Sequence, residues 1–302
     1  MALPLSCSPL RSLSSIWPIK DMSRIIKKEK LNESVSRIVV DAPHIARAAR
    51  PGQFVVVIPA ENAERIPLTI ADTDTENGTI SIIFQIVGAT TKVLDSLKEG
   101  SEVPHILGPL GVPSHVEKFG TVVAIGGGVG IAEIYPVVKG LRDAGNEVIT
   151  IIGARCKDLL VYEKELSVVS SQLLVTTDDG TCGRKGFVSD ELKDMITSGM
   201  KIDRVIAVGP VPMMKVVCDV TRERKIPTVV SLNPLMLDAT GMCGICRVTV
   251  GGKIKFACVE GPEFDGHEVN FEELSARLKT YKDVEKEAQD HVCRLLSKIN
   301  SD

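Results

Sequence analysis

The sequence presents no basic field to a nucleic acid, because its 36 Lys and Arg are outnumbered by 39 Asp and Glu and are scattered along the chain. It also lacks any apolar run approaching the roughly 20 residues a membrane helix requires, since its longest apolar stretches are strand-length and end at Gly or Pro. These two absences argue against a nucleic-acid partner and against a membrane span. None of the five His residues has an obvious acid–base partner in sequence, so no catalytic dyad is expected. Acidic residues are missing before Asp21, and MALPLSCSPLRSLSSIWPIK shows neither strand nor helix period. Residues 1–21 are therefore expected to form an unstructured extension. Met22 as the true start, or a transit peptide, would account for it.

What remains is long enough for two ordinary domains and a small appendage. From Ile25 to about Gly111, the runs SVSRIVVDA, GQFVVVIP and TISIIFQIV are broken by Pro51-Gly52, Asn77-Gly78 and Gly100. That rhythm predicts an antiparallel β-barrel over 22–118. One helix interrupts it at GATTKVLDSLKEG, whose start could hold an anion. After His115 the pattern becomes strand, Gly-rich turn, helix, strand, predicting a doubly wound parallel sheet over 119–233. KDLLVYEKELSVV is expected to be one of its helices. Residues 234–302 would hold a cysteine module with a hairpin at Gly251-Gly252, then one helix from Phe271 to Ile299 with Leu274, Leu278 and Tyr281 sharing a face.

In TVVAIGGGVGIAEIYP, Gly126, Gly127, Gly128 and Gly130 lie between a buried strand and a helix. Missing side chains there let the backbone approach a pyrophosphate at the helix N-terminus. A tight turn needing only positive φ angles is the competing reading. Arg155 in GAR, Asp178 in TTDDG, and Gly209 and Pro210 in VGPVPMM would end strands at the same carboxyl edge, where open α/β sheets bind ligands. Arg65, alone among apolar strand residues, is by default a solvated charge.

The most specific pattern is D-x4-C-x2-C-x11-C, formed by Asp238, Cys243, Cys246 and Cys258. Plant-type ferredoxins space their first three cluster cysteines C-x4-C-x2-C, so this chain has Asp in the first place, where it would be the fourth ligand or would merely cap the turn ahead of Thr240-Gly241. A Cys3Asp zinc site competes, although zinc modules usually show two C-x2-C knuckles and this one shows a single knuckle. Unliganded core thiols would bury little in so short a Gly-rich loop. The other cysteines are scattered, which suits a reducing compartment such as the cytoplasm.

Nearly the whole chain after residue 22 resembles the ferredoxin-NADP reductase superfamily. Within it, RIPLTIAD, GTVVAIGGGVGIAEIYP, SLNPLMLDATGMCGICRVTVGG and KFACVEGPEFDGH look similar to the small subunit of NADH-dependent reduced ferredoxin:NADP oxidoreductase, also called sulfide dehydrogenase beta subunit. The related electron-transfer subunit of dihydroorotate dehydrogenase uses four cysteines, and Asp238 separates the two. The resemblance implies that Arg65 binds the FAD pyrophosphate and that Pro67 and Thr69 complete the flavin strand, with the Thr69 hydroxyl near the flavin's reactive nitrogen. Leu68 stands where many relatives have Tyr. It assigns Gly88, Thr90 and Thr91 to the same pyrophosphate and GPLG, Gly108 to Gly111, to the bridge between domains.

The implied cofactors are FAD, a [2Fe-2S] cluster and NAD(H) or NADP(H), with Arg155 facing either a 2′-phosphate or the adenine. The implied partner is a larger iron–sulfur flavoprotein subunit carrying [4Fe-4S] clusters and the NADP site, through which ferredoxin reacts. FAD here would bifurcate or confurcate electrons. Service to dihydroorotate dehydrogenase, action on sulfide or polysulfide, and a non-catalytic scaffold or redox sensor are the competing functions.

Overall fold

The computed structural model describes residues 23–61, 63–288 and 290, so the expected N-terminal extension and the residues from 291 onward lie outside it. The first domain contains β1 (Ser23–Lys30), β2 (Val35–Asp41), α1 (Pro43–Ala48), β3 (Phe54–Ile58), β4 (Ile66–Asp74), β5 (Thr79–Gln85), α2 (Ala89–Ser96), β6 (Glu102–Val103) and β7 (His105–Leu110). Its strands run antiparallel in the order β6-β1-β2-β5-β4-β3-β7. Alternating residues of β2 and β5 turn Ile38, Val40, Ile80, Ile82 and Phe84 inward. Register shifts at Ile25/Lys27, Phe54/Val56 and Ile70/Asp72 bend the strands, which lets a single sheet curl into a half-barrel. Leu94 of α2 is fully buried in that core, plugging the barrel and fixing the start of its helix.

The second domain follows with β8 (Thr121–Gly127), α3 (Gly130–Asp143), β9 (Glu147–Ala154), α4 (Glu163–Val169), β10 (Gln172–Thr177), β11 (Arg184–Lys185), α5 (Val188–Thr197), β12 (Arg204–Val208), α6 (Val211–Arg222) and β13 (Thr228–Ser231). The chain ends with β14 (Arg247–Val250), β15 (Lys253–Phe256), α7 (Ala257–Glu260), β16 (Glu263–Asp265) and α8 (Phe271–Arg277). The large sheet has the order β11-β10-β9-β8-β12-β13-β16, parallel except at β16. Its central strands are apolar almost throughout because helices cover both faces. Helices α3 and α4 cover one face, and α5 and α6 the other. The α3 face continues into the barrel, where Val35, Ala71 and Ile83 join Ile131, Ile134 and Val138 in one core.

Two expectations need correction. KDLLVYEKELSVV is not one helix: a single 3-10 turn at Lys157–Leu159 precedes α4, and Tyr162 between them takes φ 59°. Tyr162 is held there by its edge-on contact with Tyr135 and by the Arg37 guanidinium over its ring. The C-terminal helix is not continuous either. α8 stops at Arg277, a turn spans 278–281, and helix resumes over 282–288. Leu274 is buried, but Tyr281 and Val284 are 45% and 64% exposed, so the apolar face that docks α8 ends near Leu278. α1 was not foreseen, because PHIARA is too short to show a period.

Leu94→Ala removes a fully buried side chain from the barrel core. We expect a loss of about 2–5 kcal/mol, read as a lower denaturant midpoint of the purified chain.

Candidate functional site

A cleft of about 720 Å3 opens at the carboxyl ends of β8, β9, β10 and β12, with barrel residues Asn32, Ser34 and Gln85 along its other wall. The glycine turn forms its floor, and each glycine there has its own reason. A β-carbon at Gly130 would run into the Val208 carbonyl, and one at Gly126 would lie 2.8 Å from the Ile131 Cα. These two positions allow α3 to pack closely on β8 and β12. At Gly127 the obstruction is the Met213 sulfur, the end of a flexible side chain. Gly128 has φ +58°, which by itself favours glycine, and nothing lies within 4 Å of its β-carbon position, so a side chain there would be strained and would enter the open cleft.

Arg155, Asp178, Gly209 and Pro210 line the same cleft, with Arg155 and Asp178 exposed at its rim. Sequence reasoning missed Glu133, Phe187, Ser189, Met213 and Asn233, which also line it. Glu133 could have been noticed as the first carboxylate after the last glycine of the turn. Burial pushes its carboxyl up to about 7, and it has no hydrogen-bond or ion-pair partner among the described residues.

The flavin-strand residues Pro67, Leu68 and Thr69 pair with Val56, Val55 and Phe54 of β3, and all three are half-buried. Gly88, Thr90 and Thr91 lie at the start of α2. Thr91 accepts from the Gly88 N–H at 2.9 Å, and the Thr90 hydroxyl donates to Glu64, next to Arg65, at 3.5 Å. The two segments therefore face one another. A β-carbon on Gly88 would meet nothing nearer than Thr91 Oγ1 at 4.0 Å, and its φ of −121° needs no glycine. The start of α2 is therefore open beside Gly88.

Arg65 is placed on Asp238, with Nη1 3.1 Å from Oδ1. Two residues expected to serve two different cofactors thus form one ion pair. The second Asp238 oxygen accepts from the Thr240 hydroxyl and from the N–H groups of Thr240 and Met242, at 3.1 and 3.3 Å for the latter two. This holds the Asp238 carboxyl below the usual carboxylate range, the Thr240 hydroxyl contributing most.

The loop that carries Asp238 winds through positive φ at Ala239, Gly241 and Gly244, and the Thr240 and Met242 N–H groups turn onto the Asp238 carboxylate. The Ile245 N–H is the main cause lowering the Cys243 thiol. Cys243 is exposed, whereas Cys246 and Cys258 are buried with sulfurs 3.2 Å apart. Burial pushes Cys258 up to about 12, and its neighbour Cys246 adds to the shift. Cys246, Cys258, Ala239 and Ala257 pack on Phe54 and Val56 of β3, the strand paired with the flavin strand. Among the described residues no group of three or more His, Cys, Asp or Glu surrounds a single metal-ion position. Three thiols, an adjacent carboxylate and the Ile245 N–H directed at Cys243 suit an iron–sulfur cluster, whose potential is set in part by hydrogen bonds to its sulfurs.

Comparison with known proteins agrees with this geometry. Residues 233–270 match the iron-sulfur cluster binding domain of dihydroorotate dehydrogenase B, and residues 124–219 match the oxidoreductase NAD-binding domain. A Thermotoga maritima protein named as a homolog of the dihydroorotate dehydrogenase B (NAD(+)) electron transfer subunit is 49% identical over 88% of this chain and 93% of its own. The chain belongs to this family of electron-transfer subunits. A member from Fusobacterium nucleatum, named as the dihydroorotate dehydrogenase B electron transfer subunit itself, is 31% identical over 74% of this chain and 87% of its own. A solved structure of the NADH-dependent reduced ferredoxin-NADP oxidoreductase, studied for flavin-based electron bifurcation, is 46% identical, with TM-score 0.85 over 91% of this chain and 99% of that one.

The family is one of iron–sulfur flavoprotein oxidoreductase subunits, and its cofactors are FAD, an iron–sulfur cluster and NAD. No helix among the described residues is long and apolar enough to cross a membrane.

The two glycine roles separate on substitution. Gly130→Ala should destabilise the chain and lower the content of every cofactor, because the new carbon meets backbone. Gly128→Val should weaken NADH binding while FAD and iron stay near wild-type levels, measured by absorbance and iron assay.

Proposed function

We propose that the chain is the small electron-transfer subunit of an electron-bifurcating NADH-dependent ferredoxin:NADP oxidoreductase. The observation that carries this reading is the likeness, at 46% identity over 91% of the chain, to the oxidoreductase of that name. The relative named as the dihydroorotate dehydrogenase B subunit itself stands at 31% over 74% of the chain. That name, together with the match at 233–270, supports the second reading, service to a dihydroorotate dehydrogenase.

When bound, FAD exchanges an electron pair as hydride with nicotinamide and single electrons with the cluster. The protein supplies position. The Gly127–Gly128 turn and the start of α3 receive the dinucleotide's diphosphate, and Arg155 and Asp178 at the rim meet its adenosine end. Arg65, Gly88, Thr90 and Thr91 would hold the FAD pyrophosphate, and Pro67, Leu68 and Thr69 would complete the flavin site. Asp238, Cys243, Cys246 and Cys258 ligate a [2Fe-2S] cluster. Arg65 and Asp238 are 3.1 Å apart, and each would have to give up that contact to hold its own cofactor.

The partner is a larger flavoprotein subunit that carries [4Fe-4S] clusters and the NADP site and reacts with ferredoxin. Outside the cluster loop, Cys156, Cys182 and Cys218 are scattered single thiols, a usage that suits a reducing compartment such as the cytoplasm.

The assay is the co-purified complex given NADH and reduced ferredoxin. NADP+ reduction that requires both donors together is expected. Dihydroorotate-dependent NAD+ reduction without that activity would move the chain to the second reading. Within the subunit, Arg65→Ala should lower FAD content, and Lys should restore it poorly because it lacks the planar fork. Asp238→Ala should lose iron or leave it labile, whereas Asp238→Cys should keep the cluster with an altered spectrum. Unchanged iron content and spectrum in the Ala variant would remove Asp238 from the ligand set.

A further inference from the structure

Glu133 sits in the first turn of α3, directly after the glycine turn, and its side chain lines the same cleft as Gly127, Gly128 and Gly130. It is half-buried and has no hydrogen bond or ion pair among the described residues. The charged groups on the surrounding elements are engaged elsewhere or lie outside its reach. Asp72 of β4 pairs with Lys139 of α3 at 3.3 Å. Arg37 of β2 bonds the Ser81 hydroxyl and lies over Tyr162. Glu147 of β9 accepts from Thr121 at the opposite end of the sheet, and Arg204 of β12 stacks on Phe119. Glu163, Lys164 and Glu165 of α4 are exposed. Arg155 and Asp178 open onto the cleft from its rim, and neither pairs with Glu133. A carboxylate without a cation therefore faces the space where, on the reading above, a dinucleotide diphosphate with two negative charges is received.

We infer that Glu133 is a nucleotide-binding residue that carries a proton in the complex and donates it as a hydrogen bond to an oxygen of the dinucleotide. Binding then takes up a proton from solvent. In the free protein, burial already sets its titration at about 7. A dianion beside it disfavours the charged form and raises that value further. Between the two values the complex holds a proton that the free protein lacks. Affinity is thus full below pH 7 and falls as pH rises above it, by at most about tenfold per pH unit.

The probe is ADP-ribose, which carries the diphosphate but no nicotinamide and so leaves the flavin oxidised. It is titrated calorimetrically into the oxidised holo-complex from pH 6 to 8.5, in two buffers of different ionisation enthalpy. We expect uptake of up to one proton per ligand near pH 7 and a Kd that rises with pH. E133Q, which keeps the shape and a donor without titrating, should bind with a pH-independent Kd within about twofold of the wild-type value at pH 6. Wild-type binding with no proton uptake, or with proton release, overturns the assignment while leaving the nucleotide site intact. A pH slope retained in E133Q also overturns it, since the proton then resides elsewhere. If neither ADP-ribose nor NAD+ binds the wild type, the nucleotide reading of the cleft is what has failed.

Discussion

Helix α3 is the member on which the two domains depend. One side packs on β8, β9 and β12, and the other packs on barrel residues Val35, Ala71 and Ile83, so a single core fastens both bodies. Its N-terminal end must also lie against the Val208–Gly209 backbone with no side chain between them, which Gly126 and Gly130 permit. With the helix fixed at that depth, the barrel wall stands across the cleft from the sheet edge. A nucleotide seated on the turn, as proposed above, would thereby be held facing the first domain.

The cysteine loop depends on the barrel in a similar way. Its inner face is made of Ala239, Cys246, Ala257 and Cys258, laid on Phe54 and Val56. Met236, Phe256 and Phe264 pack beside it, and Val248, Val269 and Phe271 tie the rest of the module into the core of the second domain. Val112 donates to the Gly261 carbonyl at 2.7 Å, and Arg277 of α8 donates to that of Ile245 at 2.9 Å, so the loop is braced by both the interdomain bridge and the last helix.

The sequence made the strand and helix order of both large domains legible, because β2, β5 and β9 carry clean patterns of burial. The carboxyl-edge cluster of Gly128, Arg155, Asp178 and Gly209 was legible for the same reason, since topology alone brings strand ends together. Tertiary contacts were not. The break at Tyr162 depends on Tyr135 and Arg37, distant in sequence, and the end of α8 depends on where its docking surface runs out. The Arg65–Asp238 pair spans 173 positions and joins two motifs that were read separately. Glu133 escaped notice because a single Glu on an amphipathic helix is ordinarily a solvated one.

Strand β16 gives the cysteine loop a property of its own. Ser231 and Glu263 face each other across the antiparallel pair, and the Leu232 N–H donates to the Pro262 carbonyl at 2.9 Å, so everything between them leaves the sheet and returns to the place it left. The loop is in effect a closed insertion at the sheet's edge, and its entropy of closure is met by strand pairing whether or not the cluster is present. Damage to the metal centre can therefore be confined to the insertion. The same strand covers the edge of β13, so the parallel sheet does not present β13 as an open template for pairing with another chain.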